Sequence, residues 1–239
     1  MSIKDKIAIV QQQLKQAAIL SGRTQEDIRL IAVSKTKSTE MILQALAAGQ
    51  SAFGENRVQE ALGKIEDLTK LPLVEWHLIG HLQKNKVKFC PGNFQWIHTI
   101  DSTELVKKLE ARSAFAQKKI NVLLQVNLSR EITKSGLHDW EDILQVSETI
   151  LSGKWLKLRG LMTIPSPNIG ETPTRKIYEK LRLWRDKLKQ DLDSPEITEL
   201  SMGMTADFHW AIQEGATMIR VGSAIFGERN EDMDSSTNM

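Results

Sequence analysis

Residues 28–37 read IRLIAVSKTK, and the fold turns on how this stretch is understood. Ile28, Leu30, Ile31, Ala32 and Val33 form a short apolar run whose only charge is Arg29. A strand of a parallel sheet has this composition, because helices cover its outer side. Alternation along a strand puts Ile31, Val33 and Lys35 on one face and Leu30, Ala32 and Ser34 on the other. If the first set faces the middle of a barrel, Lys35 is an amine at the mouth of an apolar interior. The competing reading makes Lys35 a solvated residue at a helix start, like Lys37. Strand parity favours Lys35 for the buried role.

On the N-terminal side, Ile3, Ile7, Val10, Leu14 and Ala17 recur at steps of four and three, one face of an amphipathic helix ending near Ser21-Gly22. On the C-terminal side strands and helices alternate. Strands are expected at 51–56, 74–80, 96–101, 120–127, 156–164, 197–202 and 218–226. Helices are expected through Met41–Leu46, Val58–Leu68, Asn85–Phe89, Leu105–Ala116, Trp140–Leu151, Ile177–Leu188 and Phe208–Glu214. Eight strand–helix units in about 200 residues predict a single-domain (β/α)8 TIM-type barrel over 1–229 with an additional N-terminal helix. That helix either closes the ring or plugs the bottom. The polar residues 230–239 read as a disordered tail.

The chain has 239 residues, with 32 Lys and Arg against 30 acids, a net charge of +2. This balance points to no nucleic-acid or membrane partner. A single cysteine, Cys90, excludes an internal disulfide and suits a reducing compartment. No apolar run reaches the ~20 residues that span a bilayer, and the N-terminus is too polar for a signal peptide. The expectation is a cytoplasmic protein.

In such a barrel, chemistry gathers at the C-terminal strand ends. Those ends bring Lys35, Asn56, His77 to His81, Asp101, Asn127, Met162, Ser201 and Arg220 to one rim; Asp101 and Asn127 suit helix caps equally well. Ser201-Met202-Gly203-Met204-Thr205 follows strand seven, and Arg220-Val221-Gly222-Ser223 lies in or after strand eight. Barrels often bind phosphate in these two loops. Gly203 and Gly222 would let the backbone approach a ligand, and the Ser201 and Ser223 hydroxyls would add donors. The same residues also make ordinary turns. A strand-one lysine facing a phosphate site suits a ligand with both an aldehyde and a phosphate, such as pyridoxal phosphate. The amine attacks only when unprotonated, and burial lowers its pKa from ~10.4.

AVSKTK (32–37), FGENRVQE (53–60), WHLIGHLQKNK (76–86), TKSG (133–136), GLMTI (160–164), SMGMTADFHWAIQEGAT (201–217) and RVGSAIFGER (220–229) span nearly the whole chain in order. In these motifs the sequence resembles the pyridoxal phosphate homeostasis proteins. The resemblance implies a barrel like the N-terminal domain of alanine racemase, with pyridoxal 5'-phosphate held as a Schiff base on Lys35. It implies phosphate contacts from Ser201, from the amides of Gly203 and Met204, and from Gly222 and Ser223. Asn56 would lie near the ring substituents. Arg220 would face the pyridine nitrogen, where a cation disfavours ring protonation and weakens the electron sink.

The sequence departs from the racemases, which draw a second catalytic base, a tyrosine, from a further C-terminal domain. The only tyrosine here is Tyr178, expected to pack with Leu181. The implied function is cofactor binding in the homeostasis of vitamin B6 and of amino and keto acids, without clear turnover, by a monomer that could supply apo-enzymes. The alternatives are a racemase-like enzyme using Lys35 as its one base, and an interaction protein in which the cofactor reports status. His77 and His81 lack a third metal ligand, and the tryptophans read as packing.

Overall fold

The computed structural model describes residues 1–69, 71, 74–129 and 135–228. Its eight strands are β1 (Arg29–Val33), β2 (Ala52–Glu55), β3 (Glu75–Leu78), β4 (Trp96–Ile100), β5 (Ile120–Gln125), β6 (Leu156–Met162), β7 (Glu199–Met204) and β8 (Met218–Val221). They pair in parallel in sequence order and close through β1 and β8. The helices are α1 (Ile3–Leu20), α2 (Thr39–Ala47), α3 (Val58–Asp67), α4 (Thr103–Ala116), α5 (Trp140–Leu151), α6 (Glu171–Asp191), α7 (Phe208–Gln213) and α8 (Ser223–Phe226). The architecture is the expected (β/α)8 barrel. The tail expected at 230–239, Arg229, and Thr133 and Lys134 of the TKSG motif lie outside the described residues.

Two elements differ in kind from the sequence reading. The last strand stops at Val221 rather than Phe226. Gly222 turns the chain, and its carbonyl accepts from the amides of Ile225 and Phe226 to make the single helical turn α8. A short apolar run does not by itself tell a strand from a helical turn. The helix expected around Asn85–Phe89 is only a 3-10 turn, Val87–Phe89.

Because α8 has four residues, it cannot cover the seam between β8 and β1. The N-terminal helix does so: α1 packs on α7, α8 and α2, and so closes the helical ring. Its stripe of Ile3, Ile7, Val10, Leu14 and Ala17 is buried. Ser2 and Asp5 form a reciprocal capping box at its start.

The apolar residues form two bodies. The larger lies between strands and helices. The smaller lines the inside of the barrel and comprises Ile31, Ala52, Trp96, Leu123, Met162 and Met218. Ile31 therefore faces inward, as parity predicts. The interior is not wholly apolar, however. His77, His98, Ser201 and Arg220 are buried there too, which corrects the expected environment beneath Lys35. Leu14→Ala in α1 should cost about 3 kcal/mol through a cavity at the ring seam, measured by urea unfolding.

Candidate functional site

Closure in sequence order makes β7, β8, β1 and β2 consecutive neighbours. Their C-terminal ends carry, in that order around the rim, Thr205, Ser223, Lys35 and Asn56. The register Ile31↔Arg220 and Ala32↔Val221 holds the ends of β1 and β8 level.

Lys35 is half-buried in a turn in which the Lys37 amide donates to the Ser34 carbonyl at 3.0 Å. Thr36 has φ 62°. That left-handed conformation is strained for a β-branched residue and needs surroundings that over-determine it. The surroundings are visible. The Thr36 amide donates to Glu60 Oε1 at 2.5 Å, and the Ser34 amide to the Gly54 carbonyl at 3.0 Å. Lys64 Nζ, from α3, donates to the Ser34 carbonyl at 2.8 Å, to Glu55 Oε1 at 2.8 Å and to Glu60 Oε1 at 2.7 Å. The Ser34 hydroxyl adds a bond to Glu55 Oε1 at 2.6 Å. A buried cation between two carboxylates thus clamps the residues on either side of Lys35. Lys37 is engaged elsewhere, donating to the carbonyls of Gly227 and Glu228.

Arg220 is buried in the barrel below this rim. Its Nη1 donates to Ser201 Oγ at 2.6 Å and its Nη2 to the Thr163 carbonyl at 2.9 Å. Burial pushes the guanidinium pKa down to about 10, which leaves it charged at neutral pH. Among the described residues no carboxylate forms an ion pair with it. Ser201 Oγ lies 2.9 Å from His98 Nδ1, His98 Nε2 lies 2.9 Å from His77 Nδ1, and His77 Nε2 lies 2.7 Å from Glu75 Oε1. Burial holds both imidazoles below their ordinary value, His98 well below it, with the neighbouring charge of Arg29 acting in the same direction.

These contacts bear on several expected roles. The Ser201 hydroxyl is committed to Arg220 and His98 inside the barrel and does not face the rim loop. Strand β7 runs on to Met204, so Gly203 and Met204 are strand residues. The Met204 amide donates to Asp207 Oδ1 at 2.7 Å. Gly203 serves a helix approach: a Cβ there would sit 2.6 Å from Ala211 Cβ and 2.9 Å from Phe208 Cα. At Gly222 a Cβ would sit 3.3 Å from Val33 Cβ of β1. The rim hydroxyls are those of Thr205 and Ser223, 3.2 Å apart. Thr205 belongs to the quoted SMGMT run but was not singled out. Its position after the true strand end is the signal.

Asn56 is half-buried opposite Gly80, where a Cβ would lie 2.2 Å from the Asn56 carbonyl oxygen. This backbone contact ties the loops after β2 and β3. Asn56, His81, Thr99 and Asn127 line a cavity of about 230 Å³ at the same mouth. His81 is exposed beside Asp101, at 3.8 Å, whereas His77 is inside the barrel, so the two histidines do not converge. Tyr178, on the inward face of α6, is fully buried, and burial pushes its phenol pKa up.

A half-buried lysine and a hydroxyl pair thus gather on adjacent strand ends, with a buried cation below them. Residues 10–230 match the family model described as alanine racemase, N-terminal domain. The pyridoxal phosphate homeostasis protein of Pasteurella multocida is 41% identical over 232 residues, covering 96% of this chain and 99% of that protein. PipY of Synechococcus elongatus, solved with PLP bound, is 36% identical with a TM-score of 0.84, covering 95% of this chain and 100% of that one. Alanine racemase of Clostridium difficile shares the fold at 16% identity and a TM-score of 0.74, with this chain matching 58% of it. The chain belongs to the pyridoxal phosphate homeostasis protein family.

Two predictions follow from the buried charges. Lys64→Met leaves the Glu55 carboxylate buried and unneutralised, and should cost about 3 kcal/mol at pH 8. Burial already raises the Glu55 pKa, against the opposing pull of Lys64. In the variant the carboxyl protonates more readily, so the deficit should shrink at pH 5.5. Urea unfolding at the two pH values checks both the loss and its direction. Separately, the native state keeps His77 and His98 neutral while the unfolded chain protonates them near the ordinary 6.5. Stability should therefore fall as pH drops through that value, and His98→Gln should flatten the slope.

Proposed function

We propose that this chain binds pyridoxal 5'-phosphate at the C-terminal mouth of the barrel and acts in the homeostasis of vitamin B6 and of amino and keto acids without turning over a substrate. The observation that carries the reading is the rim order Thr205, Ser223, Lys35, with Arg220 beneath, which matches an aldehyde on one side, a phosphate on the other and a ring between. Relatives named for this role and PipY with PLP bound support it. When bound, the cofactor supplies an aldehyde electrophile and a conjugated ring.

The contacts of the residues support the following roles. Lys35 would hold the cofactor through its aldehyde, its amine giving an imine with loss of water. The clamp through Ser34 and Thr36 holds its backbone while the side chain moves. Thr205 and Ser223 receive the phosphate, joined by amides at the start of α8, and Gly222 brings that turn close to β1. Asn56 contacts the ring substituents. Arg220 faces the ring nitrogen and disfavours its protonation. Ser201 acts through Arg220, while Gly203 and Met204 act by shaping the end of β7.

Tyr178, buried and held in its protonated form, does not supply a second base. That arrangement supports retention of the cofactor over turnover. The proposed role is that of a monomer delivering the cofactor to apo-enzymes in the cytoplasm. Among the described residues no helix is long and apolar enough to cross a membrane.

Borohydride reduction followed by peptide mass spectrometry should place the cofactor on Lys35. Lys35→Ala should lose both the adduct and the visible absorption band. Solvent exchange of amino-acid α-protons should stay at background; robust exchange would favour the one-base racemase reading instead.

A further inference from the structure

The hydrogen bonds beneath Arg220 can be given a direction. Glu75 is held by Arg29, whose Nη1 lies 3.1 Å from Oε1, and is ionised there. An ionised carboxylate only accepts. His77 must therefore carry its proton on Nε2, facing Glu75, and present Nδ1 as an acceptor. His98 then donates from Nε2 to His77 and accepts at its own Nδ1. The Ser201 hydroxyl donates to that nitrogen and turns its lone pairs to Arg220. Four successive bonds, from Arg220 to Glu75, thereby run one way across the barrel.

The opposite direction would place an imidazole lone pair against the carboxylate at 2.7 Å. His77 is further fixed by stacking on Trp96, with ring centroids 5.7 Å apart and planes 4° from parallel. The far end reaches the N-terminal face of the barrel, where Glu75, Arg29, Gln50 and Gln95 line an open cavity of about 710 Å³. Arg220 thus receives a neutral acceptor at Ser201, the Glu75 carboxylate stands at the opposite end of the chain, and the carboxylate whose field reaches Arg220 is Asp207, which forms no ion pair with it.

We infer that Glu75, His77, His98 and Ser201 are positioning residues that lock the Arg220 fork and present it to the cofactor ring as a cation with no directly paired carboxylate. The inference rests on the proposed binding mode only for the ring contact. The direction of the chain stands on this protein's own contacts. A change at the floor of the barrel is then felt by a ring bound at its mouth, without any contact between them.

Two measurements test this. In cofactor-free protein, nitrogen–proton correlation spectra should show His77 and His98 both as neutral Nε2–H tautomers. An Nδ1–H tautomer at either position overturns the one-way chain. With pyridoxal phosphate labelled with nitrogen-15, Glu75→Gln keeps an acceptor for His77 but removes the charge, and should move the ring-nitrogen resonance modestly. Glu75→Leu and Ser201→Ala should move it further. His98→Phe should also weaken binding about tenfold, the equivalent of one charge-assisted hydrogen bond. Thermal midpoints identify the variants that fold as wild type does. Among those, an unchanged resonance in both Glu75 variants and in Ser201→Ala overturns the positioning role. Absence of a Lys35 adduct in the wild type counts against the cofactor reading alone, because the tautomers still decide the chain.

Discussion

A guanidinium in the middle of a closed barrel must be solvated by the protein, and this requirement organises the interior. Arg220 is within hydrogen-bonding distance of one hydroxyl and one carbonyl, and the hydroxyl is backed by two histidines. Stripping a charge of water is expensive unless such acceptors replace it. Three strands besides β8 therefore contribute polar residues, where barrels of this type place branched apolar ones.

The second buried cation is treated differently. Lys64 sits directly between Glu55 and Glu60, so its charge is neutralised on the spot and its work is mechanical. Arg220 hydrogen-bonds only to neutral groups, with the Asp207 carboxylate acting on it from a distance. The contrast separates a cation that holds a loop in place from one that acts on whatever occupies the mouth. The first lies under the strained turn at Thr36, the second under the ring site. Together they fix the two sides of the proposed binding mode.

Much of this was legible from residue patterns. The barrel followed from eight alternating units, and the inward face of β1 from parity, borne out at Ile31. The phosphate side was less legible for a local reason. A register shift between Ser201 and Met204 carries β7 two residues beyond the expected end, moving the rim from Ser201 to Thr205. The direction of the Ser201 hydroxyl depends on His98 and Arg220, remote in sequence, so no local pattern reports it. The histidine chain left a fainter trace. Glu75 and His77 share parity on β3, and Trp96 and His98 on β4, but only closure of the barrel brings these faces against Ser201 of β7 and Arg220 of β8. The helical turn in SAIF was misread because a short apolar run has no period.

Sealing of the ring by α1 has a consequence for how the molecule comes into being. The first helix synthesised packs on the last two, and β1 pairs with β8. Contacts this distant in sequence are slow to form and reward the chain late. Lys35 leaves the ribosome long before Thr205 and Ser223, so a nascent chain carries the amine without the hydroxyls or the guanidinium. Until β8 docks, that lysine is an ordinary one, and capture of the ligand at the mouth waits for completion of the barrel.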